Sequence, residues 1–198
     1  MVKEFHISEK SYKRINEIQS YVVFILLFFV VHAFFKVAFV PSRSMYPTLA
    51  QRELLFCSYA DAAELDYGEI TIFYPEADRQ RLFVKRLIGK PGDQIIIADG
   101  HLYRNGEKVE EPYLMETEML GEFPGYTVPE DCYFFMGDNR NNSYDCRFFG
   151  AIPGEQVVGK VLFHFRVFSD EELIDFQEAV DNRGGKPQPG SDQYLVVT

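Results

Sequence analysis

Serine and lysine side chains in two short stretches of this chain could together hydrolyse an acyl bond. Ser42 and Ser44 lie in PSRSMYPTL over 41–49, and Lys85 lies in FVKRLIGKPGD over 83–93. A serine hydroxyl is a poor nucleophile unless a base removes its proton. No histidine lies in a triad context, and the sequence has no GxSxG turn. A lysine can act as the base if its pKa falls by roughly 2–4 units from its ordinary value.

The environment expected for Lys85 follows from strand periodicity. If residues 82–88 form a strand, Phe83, Lys85 and Leu87 share one face, and Arg86 points the other way. Two large apolar neighbours would exclude water from the amine and disfavour its charged form. A single lysine in a strand is more often a solvated edge residue, and a serine in a Pro-rich segment usually serves a turn. The surrounding motifs therefore have to decide between the two interpretations.

Two further motifs complete a pattern of four. YGEITIF covers 67–73, and GDNRNNSYDCR covers 137–147 and is followed by FFG. The order and spacing of the four stretches, after an apolar N-terminal segment, resemble bacterial type I signal peptidase over about residues 20–168. This resemblance implies a membrane-bound serine endopeptidase with a Ser/Lys dyad, which removes N-terminal signal peptides from exported preproteins without a cofactor or a metal ion.

The resemblance implies a role for four residues in catalysis. Ser44 matches the nucleophile of the family, and Lys85 matches its general base. Ser42 matches a hydroxyl that joins the backbone N–H of Ser44 in an oxyanion hole. Ser143 matches the serine that hydrogen-bonds and orients the lysine.

Three charged residues match supporting positions. Asp145 and Arg147 match a pair that buttresses the active-site loop, and Asp138 is expected to pair with Arg86. As surface ion pairs these would contribute little to stability. Cys146 stands where serine is usual, which leaves the catalytic groups intact.

The apolar N-terminal segment predicts a membrane anchor. Residues 21–40 are apolar except for His32 and Lys36, and twenty helical residues cover roughly 30 Å, the thickness of the hydrocarbon core. A buried core helix and a cleaved signal peptide are the alternatives. Four basic residues precede the span and two follow it within 41–60, so residues 1–20 are expected in the cytoplasm.

The remainder of the chain predicts a mainly β fold. Short apolar runs between turn signals, including Asp99-Gly100, Asn105-Gly106 and Pro124-Gly125, indicate an antiparallel, barrel-like domain over 41–168, outside the plasma membrane. Residues 169–198 carry seven acids and two bases, and are expected to form a short acidic helix and a disordered tail.

Composition narrows the partners and the function. A net charge of −10 argues against nucleic acid, and three cysteines without metal-ligand spacing argue against zinc. The expected partners are therefore signal-peptide-bearing preproteins and the lipid bilayer. Two alternatives stay open: another Ser/Lys maturation peptidase, and a membrane-tethered binding module that keeps the fold without catalysis.

Overall fold

The computed structural model describes residues 9–75, 81–116 and 118–166, and the chain divides into two compact units at Phe35. The described part of the first unit is one helix, α1 (Glu9–Phe34). Its stretch from Tyr12 to Phe34 is long and apolar enough to cross a membrane, and none of that stretch is buried. A helix of a soluble core would be mostly buried, so the core-helix alternative is not supported.

Helix α1 begins and ends earlier in the sequence than the expected span of 21–40. It ends at Phe34, and Phe35–Phe39 form strand β1 instead. The apolar run hid this boundary because the strand is apolar too, and Ala38 and Val40 are buried in the β unit. The amine of Lys36 lies 3.5 Å from the hydroxyl of Tyr74, within this unit.

The second unit is built mainly from strands. In chain order they are β1, β2 (Leu54–Tyr59), β3 (Ile70–Phe73), β4 (Phe83–Gly89), β5 (Gln94–Ala98), β6 (His101–Arg104), β7 (Glu107–Lys108), β8 (Phe123–Thr127), β9 (Cys132–Met136), β10 (Ile152–Pro153) and β11 (Val157–Phe165). A short helix, α2 (Cys146–Phe149), follows β9. Three single turns of 3₁₀ helix cover Ala62–Glu64, Arg140–Asn142 and Gly154–Gln156.

These strands form two sheets. The larger has the order β1-β2-β11-β3-β4-β9-β10, and the smaller has the order β7-β6-β5-β8. The pairs β2–β11, β3–β11, β3–β4, β4–β9, β9–β10, β5–β6, β5–β8 and β6–β7 are antiparallel. The predicted mainly β, antiparallel architecture is confirmed.

The turn signals gave one wrong prediction. Asp99-Gly100 and Asn105-Gly106 do form tight hairpin turns, with positive φ at both residues of each pair. Pro124-Gly125, expected as a turn, lies inside strand β8. A proline and a glycine are tolerated there because β8 is an edge strand whose register with β5 is irregular between Ile95 and Ile97.

Two apolar clusters lie on opposite faces of β3 and β4. Phe73, Phe83 and Leu87 belong to the cluster that includes residues of the smaller sheet, whereas Ile72 and Val84 belong to the cluster that includes β1 and β2. Strand alternation therefore holds from residue 83 to residue 87, as predicted. The acidic helix and tail expected over 169–198 lie outside the described residues.

Candidate active site

Strand β4 carries Lys85 into the interior. All seven residues of β4 are buried, and Lys85 itself is 1% exposed. On one side β4 pairs with β3, where Lys85 lies opposite Thr71. On the other side, β9 pairs with β4 only from Arg86 onward. Residues 83–85 therefore have a strand partner on one side only, among the described residues.

Ser44 lies in the turn segment that follows β1. Met45 and Leu49, on either side of the turn, are fully buried in the cluster that contains β1 and β2. The N–H of Leu49 donates to the carbonyl of Met45 at 2.9 Å, and the N–H of Tyr46 donates to the carbonyl of Arg43 at 3.1 Å. These contacts fix the backbone at Ser44, whose side chain is also buried.

The two segments bring a hydroxyl and an amine into direct contact. Ser44 Oγ and Lys85 Nζ lie 2.6 Å apart, although the residues are 41 positions apart in the sequence. Ser42 Oγ donates a hydrogen bond to Ser44 Oγ at 3.1 Å, and the backbone N–H of Ser44 lies 3.4 Å from Ser42 Oγ. Two hydroxyls, one amine and one backbone N–H therefore meet at a single point.

Burial changes the protonation of the amine. Desolvation lowers the pKa of Lys85 from 10.5 to about 8, while the carboxylates of Asp145 and Asp138 partly oppose this shift. The ring of Phe83 lies 5.6 Å from Lys85 Nζ, so one of the two expected apolar neighbours faces the amine directly. Near pH 8 a large fraction of the lysine is thus neutral and able to accept a proton.

The loop after β9 is held by ion pairs that are buried rather than on the surface. Arg86 donates two hydrogen bonds to Asp138, at 2.8 and 2.6 Å, and Arg147 donates two to Asp145, at 2.8 and 2.9 Å. Both carboxylates are completely buried. The expectation that these would be surface pairs of little effect is therefore wrong, because removing one partner would leave an uncompensated buried charge.

Asp145 also connects this loop to the strand that precedes it. Its carboxylate accepts from the backbone N–H of Gly137 at 3.0 Å and from that of Arg147 at 3.3 Å. The second contact caps α2, which begins at the next residue. A single carboxylate thus sets the conformation of both ends of the loop 137–147.

Ser143 lies in the site but makes no hydrogen bond to Lys85. Its hydroxyl is buried and has no hydrogen-bond partner among the described residues. A Cβ added at Gly137 would strike both Ser143 Oγ and the carbonyl oxygen of Ser44, so these two groups lie side by side. The orienting bond expected from the resemblance is therefore not formed in this conformation.

Several residues that the sequence did not single out also contribute. Asn139, within the quoted GDNR motif, donates from its backbone to the carbonyl of Ser44 at 3.0 Å and from its side chain to the carbonyl of Arg43 at 3.2 Å. The hydroxyl of Thr48 donates to Asp138 at 2.5 Å. The motif itself was the available signal for Asn139, and nothing in the sequence indicated the bond made by Thr48.

A third buried ion pair joins this loop to the segment after β7. Arg140 pairs with Glu111, and both side chains are almost fully buried. Arg140 also donates to the carbonyl of Gly137 at 2.9 Å. Glu111 lies in a connection without any recognisable motif, so its partner could be found only from the fold.

Cys146 fills the position next to Asp145 as a buried thiol. Its sulfur accepts a hydrogen bond from the backbone N–H of Phe135 at 3.1 Å, and burial raises its pKa well above the ordinary value. Cys57 and Cys146 are free thiols. No group of three or more His, Cys, Asp or Glu side chains suited to a metal ion occurs in the described ranges.

Comparison with known proteins adds a family to this geometry. The sequence profile of "Signal peptidase, peptidase S26" matches residues 14–166. Signal peptidase I T of Bacillus subtilis (strain 168) is 40% identical over 151 residues, which cover 70% of this chain and 78% of that protein. Signal peptidase I of Bacillus licheniformis is 36% identical over 185 residues, which cover 84% of this chain and 98% of that protein.

A solved structure is also similar. The crystal structure of a signal peptidase I from Enterococcus faecalis V583 covers 50% of this chain and 97% of its own, at 31% identity and a TM-score of 0.43. The profile match includes the turn that carries Ser44, strand β4 and the loop 137–147. On the profile match and the identity over most of the chain, this protein belongs to the signal peptidase family, peptidase S26.

Proposed function

We propose that the chain is a membrane-bound serine endopeptidase that removes N-terminal signal peptides from exported preproteins, with Ser44 as nucleophile and Lys85 as general base. The observation that carries this proposal is the 2.6 Å contact between Ser44 Oγ and Lys85 Nζ in a water-excluding environment. An amine with a pKa of about 8 can accept a proton from serine near neutral pH, whereas an ordinary lysine cannot.

The reaction follows from the positions of the four groups. Neutral Lys85 takes the proton of Ser44 as its Oγ attacks the scissile carbonyl carbon, and a tetrahedral oxyanion forms. The resemblance implies that the backbone N–H of Ser44 and the hydroxyl of Ser42 donate to that oxyanion, and both groups lie beside Ser44 Oγ. Protonated Lys85 then gives its proton to the leaving amine, which leaves an acyl ester on Ser44.

Hydrolysis of the ester uses the same base. A water molecule loses a proton to Lys85 and attacks the ester carbonyl. The bond to Ser44 Oγ then breaks, Lys85 returns the proton to that oxygen, and the signal peptide leaves with a new carboxyl group. The rigid ion pairs Arg86–Asp138 and Arg147–Asp145 keep the loop in place through both steps. Because the loop does not move, the groups around Ser44 need no reorganisation at the moment of reaction.

The substrate binds as an extended strand. Val84 and Lys85 of β4 lie before the part of the strand that pairs with β9, and β1 forms one edge of the larger sheet, close in sequence to Ser42 and Ser44. Extended peptides commonly add to such edges by main-chain hydrogen bonds, and side-chain pockets then supply specificity. The family resemblance implies small residues at the first and third positions before the cut.

Membrane attachment would be supplied by α1. We propose that residues 1–20 begin in the cytoplasm, that α1 crosses the plasma membrane and that residues 41–168 lie outside. The apolar stretch Tyr12–Phe34 supports this arrangement, as do the four Lys and Arg residues that precede it or lie at its start, against two in 41–60. Tethering raises the effective concentration of the dyad near a signal peptide held in the same bilayer.

Two substitutions test the dyad directly. We expect Ser44→Ala and Lys85→Ala each to abolish cleavage of a purified preprotein, read as the mass of the released mature protein, because either change removes one half of the nucleophile–base pair. Ser58→Ala and Lys108→Ala, on β2 and β7 away from the dyad, serve as matched controls and should cleave normally. Full cleavage by either dyad variant in a folded protein would refute the mechanism.

A further inference from the structure

We propose that Tyr144 and Phe148 form an aromatic shelf that binds an apolar side chain of the preprotein on the C-terminal side of the cut. This proposal rests on the endopeptidase function proposed above, and it adds a determinant of specificity to that function. The shelf is defined as the exposed faces of these two rings. It lies on the loop that carries Ser143 and continues into α2.

A continuous series of ring contacts leads from the dyad to this shelf. The amine of Lys85 lies 5.6 Å from the centre of the Phe83 ring, and Phe83 meets Phe149 edge to face at 5.9 Å. Phe149 in turn meets Tyr144 at 5.3 Å, and Tyr144 stacks on Phe148 at 5.5 Å with an interplanar angle of 24°. The shelf is thus the outer end of the apolar wall that keeps water from the lysine.

The outer end of this wall is open to a ligand. Tyr144 is 46% exposed and Phe148 is 65% exposed, although Tyr144 lies on the loop 137–147 and Phe148 lies on α2, which follows it. Tyr144 directly follows Ser143, whose hydroxyl lies beside the carbonyl of Ser44. A substrate whose scissile bond reaches Ser44 therefore passes within a few residues of these rings.

The shelf is held rigid before any substrate arrives. Arg147, between the two rings in sequence, is fixed by Asp145, and its guanidinium lies 5.7 Å from the centre of the Phe148 ring. The N–H of Phe148 donates to the carbonyl of Asp145 at 2.8 Å. A preorganised aromatic surface loses little entropy on binding, so contact with it contributes more of its interaction energy to affinity.

The position of the shelf favours the part of the substrate that follows the cut. The segment before the cut needs a strand edge, and the edges closest in sequence to Ser44 and Lys85 are β1 and the part of β4, Val84 and Lys85, that β9 does not pair. Tyr144 and Phe148 lie on neither strand but beyond Ser143, on the far arm of the loop. A broad, flat aromatic surface also suits a large apolar side chain and not the small residues implied before the cut.

A competition assay with the full-length protein in detergent micelles tests the proposal. Soluble precursor peptides that differ only in having Phe or Gly at the first, second or third residue after the cut are mixed pairwise. The ratio of their kcat/KM values is then read from product masses. We expect the wild-type chain to favour Phe at one of these positions by about 3- to 10-fold, the range expected for one aromatic contact.

The variants locate the source of that preference. Tyr144→Ala and Phe148→Ala should reduce the Phe-to-Gly ratio towards one at the favoured position, while Tyr144→Phe should retain it, because the ring and not the hydroxyl makes the contact. Tyr59→Ala removes an equally exposed tyrosine from the end of β2 and should leave the ratio unchanged. Circular dichroism spectra of all variants confirm that each is folded.

Each outcome bears on the shelf separately from the peptidase function. Cleavage of every peptide with no Phe preference in the wild-type chain would overturn the shelf and leave the endopeptidase proposal intact. An unchanged ratio in both alanine variants would also overturn it. The assay is repeated with the protein in lipid vesicles. If the alanine variants there lose kcat/KM equally for all peptides, and lose none in micelles, the rings contact the bilayer, which contradicts a role in specificity. Absence of any cleavage would refute the proposed function itself.

Discussion

The amine of Lys85 is buried, and it therefore loses its proton at a lower pH than an ordinary lysine. Its pKa falls from 10.5 to about 8 because burial removes the water that would stabilise the ammonium form. The only hydroxyl placed to benefit, at 2.6 Å, is that of Ser44 among the residues that the structure describes. Two measurable properties of the protein depend on this one shift.

The first is the pH dependence of cleavage. Below its folded pKa Lys85 is protonated and cannot accept the proton of Ser44, so kcat/KM should rise about tenfold per pH unit up to pH 8 and then level off. Steady-state kinetics on a soluble precursor from pH 6 to pH 10 measure this profile. A rate that stays constant over that range would exclude a desolvated lysine as the base.

The second is stability. Between pH 8 and pH 10.5 the unfolded chain binds more protons at Lys85 than the folded chain, so the free energy of unfolding rises with pH in this range. Below pH 8 Lys85 is charged in both states, and the full cost of burying the ammonium lowers the stability of the fold. We expect Lys85→Met to raise the free energy of unfolding at pH 7 by on the order of 3 kcal/mol. Urea denaturation followed by circular dichroism measures it, with the exposed Lys108→Met as control. No gain at pH 7 would contradict the burial penalty.

The catalytic loop and the turn of Ser44 are two elements that depend on each other. The carbonyl of Ser44 accepts the N–H of Asn139, and Gly137 leaves no room for a side chain between the two elements. The ion pairs on either side of the loop are buried. Displacement of either element would therefore misplace the nucleophile.

This dependence predicts a strong effect of one methyl group. Gly137→Ala would push against Ser143 Oγ and the carbonyl of Ser44, and a shift of about 1 Å can lower a rate by 10²-fold. We expect kcat to fall by about that factor with little change in KM. A Cβ at Gly154, before β11, would lie 3.2 Å from Tyr133 and 3.3 Å from Ala62, which is tight but less so than at Gly137. It meets neither Ser143 nor Ser44, so Gly154→Ala should retain kcat. Equal kcat values in the two variants would show that the loop can move to accommodate the methyl group, and would contradict the prediction.

The elements were predictable where apolar pattern and turn chemistry agree. The runs around β2, β4, β5 and β9 stand as strands, and the hairpins at 99–100 and 105–106 form as expected. The boundary between α1 and β1 was not predictable, because helix and strand share one uninterrupted apolar run. Strand β8 was missed because its Pro-Gly pair resembles a turn, and only its place at the edge of a sheet makes it tolerable.

The site shows the same division. The alternation of Phe83, Lys85 and Leu87, taken together with the surrounding motifs, predicted a buried amine. The burial of Asp138 and Asp145 was not predictable, because a charged pair carries no sequence signal for the solvent around it. Glu111 pairs with Arg140 across 29 positions, through a segment with no motif, so only the folded chain reveals it.

At the scale of the whole molecule, the chain consists of two compact units, an apolar helix and a β unit. The helix α1 exposes apolar side chains along its length, whereas the β unit buries its apolar side chains in two cores. This organisation suits a catalytic unit attached to a bilayer through one helix.

Orientation in the membrane can be tested on intact cells. Four Lys and Arg residues precede α1's apolar stretch or lie at its start, so we expect the N-terminus to be cytoplasmic and the β unit to face outward. Protease added to intact cells should then digest the β unit and spare an N-terminal epitope tag, whereas permeabilised cells should lose both. Protection of the β unit in intact cells would reverse the assignment.

The half-paired strand β4 has a consequence for inhibition. Under the proposed binding mode, main-chain groups at Val84 and Lys85 would accept an extended backbone whatever its side chains, so a peptide mimic with an uncleavable bond would occupy the place of the substrate without being cleaved. An electrophile in place of that bond would meet a serine beside an amine that loses its proton more readily than an ordinary lysine. Such a compound needs no induced change in the protein, and its potency should increase with pH in parallel with the free amine.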